Sequence, residues 1–166
     1  MRRAVYRSLL IAPTAGVSYG AHGVWGWDDG KTEPTDHAGS GIPLHWKQAL
    51  RMPGGEQMAH VVRLFESFDY WRLRPAPYLV AGAADSKDPE TFITASRTDR
   101  GDLIVAHTPV EQVVNLRSNL LPGSIEAHWH SPTTGSKLPA QPTTDGAWRS
   151  FTPPGDGDWV LVVRAL

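Results

Sequence analysis

Cysteine is absent from all 166 residues, which excludes a disulfide framework, a thiolate nucleophile and a Cys-ligated metal. No apolar run approaches the roughly 18–20 residues of a membrane-spanning helix. Charge of neither sign dominates: 16 Lys+Arg stand against 17 Asp+Glu, a net charge of −1. No basic surface for nucleic acid or for an anionic membrane is therefore expected. P-loop, GxGxxG and HExxH signatures are also missing. There is no internal repeat and no low-complexity tract.

What is present is enough to bury a core, since 40% of the residues are hydrophobic and 20% are charged. Glycine (16) and proline (14) are plentiful, which fits many turns. The composition suits either the cytoplasm or an export route without oxidative stapling, so localisation stays open. Met1-Arg2-Arg3 followed by Ser8-Leu9-Leu10-Ile11-Ala12 superficially matches a signal peptide. Arg7 interrupts it, and the apolar stretch is short for that template. Residues 2–10 read better as the tail of a helix, with Pro13 stopping it.

Two dissimilar halves meet near Arg74-Pro75. In the first, Gly16-Val17-Ser18-Tyr19-Gly20 predicts a short strand opening into an aromatic, polar loop through Asp29. Residues 28–43 are rich in Asp, Gly, Thr, Pro and Ser and predict a loop. Leu44–Met52 predicts a short helix that Pro53-Gly54-Gly55 breaks. Glu56–Phe68 places Met58, Val61, Val62, Phe65 and Phe68 on one helical face. Such a face must pack on the second half or on a partner, or stay poorly ordered. After Pro75 the period falls to 2. Strands are predicted at 92–97, 102–108, 113–117, 124–130, 147–151 and 159–164, with a turn at Thr98-Asp99-Arg100-Gly101. Ile125, Ala127 and Trp129 face one way, and Glu126, His128 and His130 the other. Short strands with no helix between them predict an antiparallel β-sandwich. The expected class is α+β: a partial (β/α) barrel remnant, one strand plus helices, over 1–74, then a sandwich over 79–166.

The chemistry-bearing residues cluster in the aromatic loop. Indole faces stack on the C–H faces of sugars, and imidazole bonds hydroxyls, so His22, Trp25 and Trp27 suit a carbohydrate cleft. Trp27 divides evenly between cleft and core, Trp25 leans to core, and Tyr19 could point into a site or plug the core. Asp28 or Asp29 could line a cleft, but neighbours on an extended segment point apart and make a poor acid–nucleophile pair. His128 and His130 share a strand face two apart, yet no third or fourth ligand lies near, so surface histidines are the better reading. Trp148 and Trp159 could bind polysaccharide or protein from the sandwich, or pack between its sheets, which is favoured. No cofactor and no metal is expected.

Tyr19-Gly20-Ala21-His22-Gly23-Val24-Trp25-Gly26-Trp27 resembles the last barrel strand and following loop of apiosidase-like glycoside hydrolases, TIM barrels acting on plant-type glycosides. Trp46-Lys47-Gln48-Ala49-Leu50, Pro53-Gly54 and Gln57-Met58 resemble the helical segment that follows there. The second half resembles the collagen-binding-labelled domain attached behind that barrel. It does so through Leu121-Pro122-Gly123, Trp129–Gly135 and Phe151–Val162. The resemblance implies a parent family that is secreted or periplasmic. It implies substrate contact by Tyr19, His22, Trp25 and Trp27; Asp28, next in the loop, joins them as a candidate for lining the cleft. It implies a plant-type glycan or a matrix protein as partner, together with an upstream barrel. A TIM barrel needs about 250 residues and eight strands. The family's catalytic carboxylates sit on earlier strands with no counterpart here, so no catalytic residue is assigned and the chain alone is expected to be inactive. A binding module built on the sandwich is the alternative. Two further rivals are a sandwich that only buttresses the barrel, and a complete small enzyme using Asp28 or Asp29 with His22.

Overall fold

The computed structural model describes residues 1–12, 16–34, 36–82, 88–120 and 123–166. The fold is α+β. Among the described residues, four α-helices, α1 (Arg2–Ile11), α2 (His22–Trp25), α3 (Trp46–Ala49) and α4 (Pro53–Glu66), precede the sheets. The strands are β1 (Leu73–Pro75), β2 (Thr94–Thr98), β3 (Leu103–Thr108), β4 (Val114–Arg117), β5 (Ile125–His130), β6 (Lys137–Pro139), β7 (Thr143–Asp145), β8 (Trp148–Phe151) and β9 (Trp159–Ala165). A six-stranded sheet runs β1-β2-β3-β9-β5-β6 and faces a three-stranded sheet β4-β8-β7. Every recorded pairing is antiparallel.

Alternation along the central strands builds three layers. Ile104 and Ala106 of β3, with Leu161 and Val163 of β9, enter the core between the sheets beside Trp129, Val114, Leu116 and Phe151. Leu103 and Val105 of β3, with Val160 and Val162 of β9, point to the opposite face. There they meet Val5, Tyr6 and Leu10 of α1 and Val61, Leu64 and Phe65 of α4. Strands apolar on both faces are what a sheet covered on both sides requires. The first half is thus docked on the sandwich. Val62, expected on the packed face of α4, is 51% exposed, while Leu64 takes its place. On β5 the predicted alternation holds: Ala127 and Trp129 are buried inward, and Glu126, His128 and His130 face outward.

Some expectations are corrected. Residues 16–20 form no strand, because no described residue offers a ladder to them, and a lone strand leaves its polar backbone to water. Pro53-Gly54-Gly55 does not break a helix but opens α4, with Pro53 in the first turn, where its missing N–H costs nothing. Strands β1, β6 and β7 had no apolar pattern to announce them, and β6 and β7 are exposed throughout. Pro13, Leu121 and Pro122 lie outside the described residues.

Polar bonds stitch the halves together as well. Arg2 Nε and Nη2 donate to Asp158 Oδ2 and Oδ1 at 2.9 and 2.6 Å. Ser96 Oγ donates to Leu10 O at 2.7 Å, satisfying a carbonyl at the end of α1. Arg164 donates to Ser67 O just past α4. Limited proteolysis should therefore leave no stable 75–166 core. First cuts are expected in the exposed 28–43 loop, and a persistent sandwich fragment lacking α1 and α4 would contradict the docking.

Candidate functional site

The aromatic segment is a small built unit that starts at α2. Gly23 is buried against the Leu44 carbonyl and Ala49, a contact no side chain could share, so α2 and α3 approach closely. Asp28 N donates to Gly23 O at 3.1 Å, and Trp46 N donates to Asp28 O at 2.9 Å. These bonds hold Trp27 at φ 50°, the one non-glycine residue with positive φ among those described. That conformation costs an L residue about 1–2 kcal/mol and persists only where its surroundings impose it. Tyr19 lies over the first turn of α4, where its hydroxyl occupies the space a Cβ on Gly54 would need.

The rings form two groups. His22 stacks on Trp25 at 5.2 Å, and His37 stands edge-on to Trp25 at 4.7 Å. Trp27 meets Trp46 edge-on at 5.2 Å, with His45 stacked on Trp46 at 5.9 Å. Trp25 is 52% and Trp27 69% exposed, so the core reading of Trp25 is overturned. The residues of this unit that are buried are small, Ala21, Gly23 and Ala49.

A shallow groove of about 410 Å³ opens beside these rings, lined by Trp25, Gly26, Asp28, Glu33, Asp36 and His37 among others. Asp28 lies over Gly26, where a Cβ would collide with its Oδ2. Asp28 Oδ2 and His22 Nε2 are both buried without a hydrogen-bond partner among the described residues. Glu33 accepts from Gly41 N at 2.8 Å and so ties the far wall of the loop. Asp29 points elsewhere, capping Lys31 N at 3.0 Å. The arrangement offers an indole face, an imidazole and carboxylate acceptors at one surface, which is chemistry for holding hydroxyl-rich molecules. Three of its participants were not singled out from sequence: His37, Glu33 and Asp36. They fall in a polar loop without periodicity, and only the density of His and Trp around them could have marked them.

Elsewhere the sandwich aromatics turn inward. Trp129 is 2% exposed, and Trp159 packs on the same core while donating to Gly155 O at 2.8 Å. Trp148 is half-buried with Arg117 over its ring at 5.0 Å. His128 faces Glu126 at 3.4 Å, and no metal-binding group of three ligands occurs among the described residues.

Residues 1–72 match the family model described as "Apiosidase-like, catalytic domain". Residues 75–164, more than half of the chain, match the model described as "Putative collagen-binding domain of a collagenase". The chain belongs to that collagen-binding-domain family, with an apiosidase-like segment before it. The solved structures that it resembles in fold are glycoside hydrolases. A solved glycoside hydrolase family 5 structure from Bacteroides vulgatus ATCC 8482 is similar over 99% of this chain and 35% of its own, with a TM-score of 0.77 at 21% identity. A second, titled "Glycoside hydrolase", is similar over 78% of this chain and 30% of its own, with a TM-score of 0.61 at 19% identity. The chain therefore spans about a third of the length of these structures. No curated protein matches it.

Proposed function

We propose that the chain is the C-terminal part of a glycoside hydrolase-like protein and supplies one aromatic wall of a substrate cleft. Tyr19, His22, Trp25, Trp27 and Asp28 contact a plant-type glycan, and the acid–nucleophile pair comes from strands outside these residues. The observation that carries this reading is Trp27. A large indole is held in a costly backbone conformation and left 69% exposed. A side chain needed only for packing would not be presented that way. Stacking orients a sugar ring, and Asp28 and His22 take up its hydroxyls. No carboxylate is assigned to bond cleavage.

Titrating plant-type oligosaccharides while following tryptophan fluorescence tests this. Trp27→Ala is expected to weaken binding about tenfold, the equivalent of about 1.4 kcal/mol, with little change in the thermal midpoint. The purified chain is expected to leave glycosides intact. Glycoside cleavage that Asp28→Asn or Asp29→Asn abolishes would overturn the proposal, and so would saccharide binding indifferent to Trp25 and Trp27.

A further inference from the structure

A second cleft lies at the seam between the helices and the sandwich and shares no residue with the aromatic groove. It measures about 180 Å³ and is lined by His60 and Arg63 of α4, His130 of β5, Lys137 of β6, and Ser131 and Gly135 in the turn between them, among others. That is small beside the roughly 300–1,000 Å³ of sites for drug-sized ligands. None of its lining residues carries a carboxylate. His60 is only 9% exposed. Arg63 Nη2 lies 2.5 Å from His60 Nδ1. A guanidinium can only donate, so Nδ1 accepts and the ring proton sits on Nε2. That Nε2 is buried with no acceptor among the described residues. Ser131 Oγ accepts from Thr134 N at 3.2 Å, which leaves its own hydrogen free to donate. Gly135, at φ +72°, presses against His60, and a Cβ there would stand 2.5 Å from Nδ1.

The cleft thus gathers donors from α4 on one side and from β5, β6 and the turn between them on the other, and supplies them with no anion. We propose that it binds a small oxyanion, sulfate, phosphate or the carboxylate end of an acidic sugar, bridging α4 to the β5–β6 turn. Arg63 and Lys137 carry the charge, and His60 and Ser131 provide directed hydrogen bonds. The surrounding field agrees: burial, with Lys137, His128 and Arg164 adding, pushes the His130 imidazolium down to about 4. Bound at the seam, the anion tightens the docking of the helices on the sandwich, because only the folded arrangement assembles the site.

The test is NMR of the His60 and His130 ring signals in the full chain at neutral pH. Sodium sulfate, phosphate and glucuronate are titrated at constant ionic strength, balanced with sodium chloride. Both histidines are expected to shift saturably, and the thermal midpoint should rise with the same half-saturation. Arg63→Gln and Lys137→Gln should each weaken binding about fivefold or more. Lys137 is exposed on a short edge hairpin, so its variant keeps the fold. Tighter sulfate or phosphate would mark an inorganic ligand, and tighter glucuronate an acidic sugar. Shifts that never saturate, that chloride reproduces, or that survive both substitutions would overturn the proposal.

Discussion

Tyr6→Ala is expected to cost about 3–5 kcal/mol, the range for deleting a fully buried aromatic ring. Tyr6 is 1% exposed, stacks on His107 of β3 at 5.1 Å and meets Phe65 of α4 at 6.3 Å. It is the plug between α1, α4 and the outer face of the six-stranded sheet. A loss of that size is a large part of the roughly 5–15 kcal/mol of a typical domain. Denaturant unfolding measures it. Hydrogen exchange should show α1 and α4 losing protection while β4 and β8 keep theirs, since their core lies between the sheets. Tyr6→Phe, which keeps the ring, should cost under about 1.5 kcal/mol. A Tyr6→Ala cost below about 1 kcal/mol would mean that the helices are not held by this contact.

Arg2→Ala is expected to be nearly as damaging. The Asp158 side chain is 2% exposed and receives the Arg2 fork, while His107 Nε2 stands 3.5 Å from its Oδ2, too distant for a full hydrogen bond. Asp158 also faces the start of α1, where a carboxylate complements the helix dipole and offsets the unfavourable arginine in the first turn. Removing Arg2 leaves a buried carboxylate without its partner, a change worth about 3–5 kcal/mol in buried pairs. The lower end applies because the Arg2 side chain is itself 23% exposed. Arg2→Ala with Asp158→Ala should cost less than the sum of the two singles, which a double-mutant cycle reads directly. Additive effects would mean that the pair is not coupled.

The same network sets the pH dependence of stability. Burial would raise the Asp158 carboxyl, but the His107 ring 3.5 Å away and the hydrogen-bonded, charged Arg2 guanidinium outweigh it and hold it well below the ordinary carboxylate range. A depressed acid contributes stability above its unfolded value of 3.8 and loses it as pH falls further. The histidines act earlier. Burial lowers His107 and His130 from 6.5, so below that pH the unfolded chain takes up protons that the folded chain refuses. Each such proton removes about 1.4 kcal/mol per pH unit. Thermal midpoints should hold above pH 7, fall gradually below 6.5, and drop steeply below 4. His107→Gln should flatten the upper part of that decline. A profile flat from pH 7 to 4 would contradict the buried state of both rings.

Much of this was legible in the sequence. The change of period at Arg74-Pro75 separates helices from strands, and the alternation of Ala127 and Trp129 against His128 and His130 orients β5 correctly. His22, Trp25 and Trp27 mark the aromatic segment by type and spacing alone. Only the tertiary structure decided what covers the outer sheet face, because periodicity says which side of α4 is apolar but not what it meets. It alone placed His37, Glu33 and Asp36 at the groove, since a loop has no repeat to read. It alone left residues 16–20 unpaired, because a strand exists only where a second backbone bonds to it. And it brought Arg2 to Asp158, 156 positions apart, a pairing that no local pattern encodes.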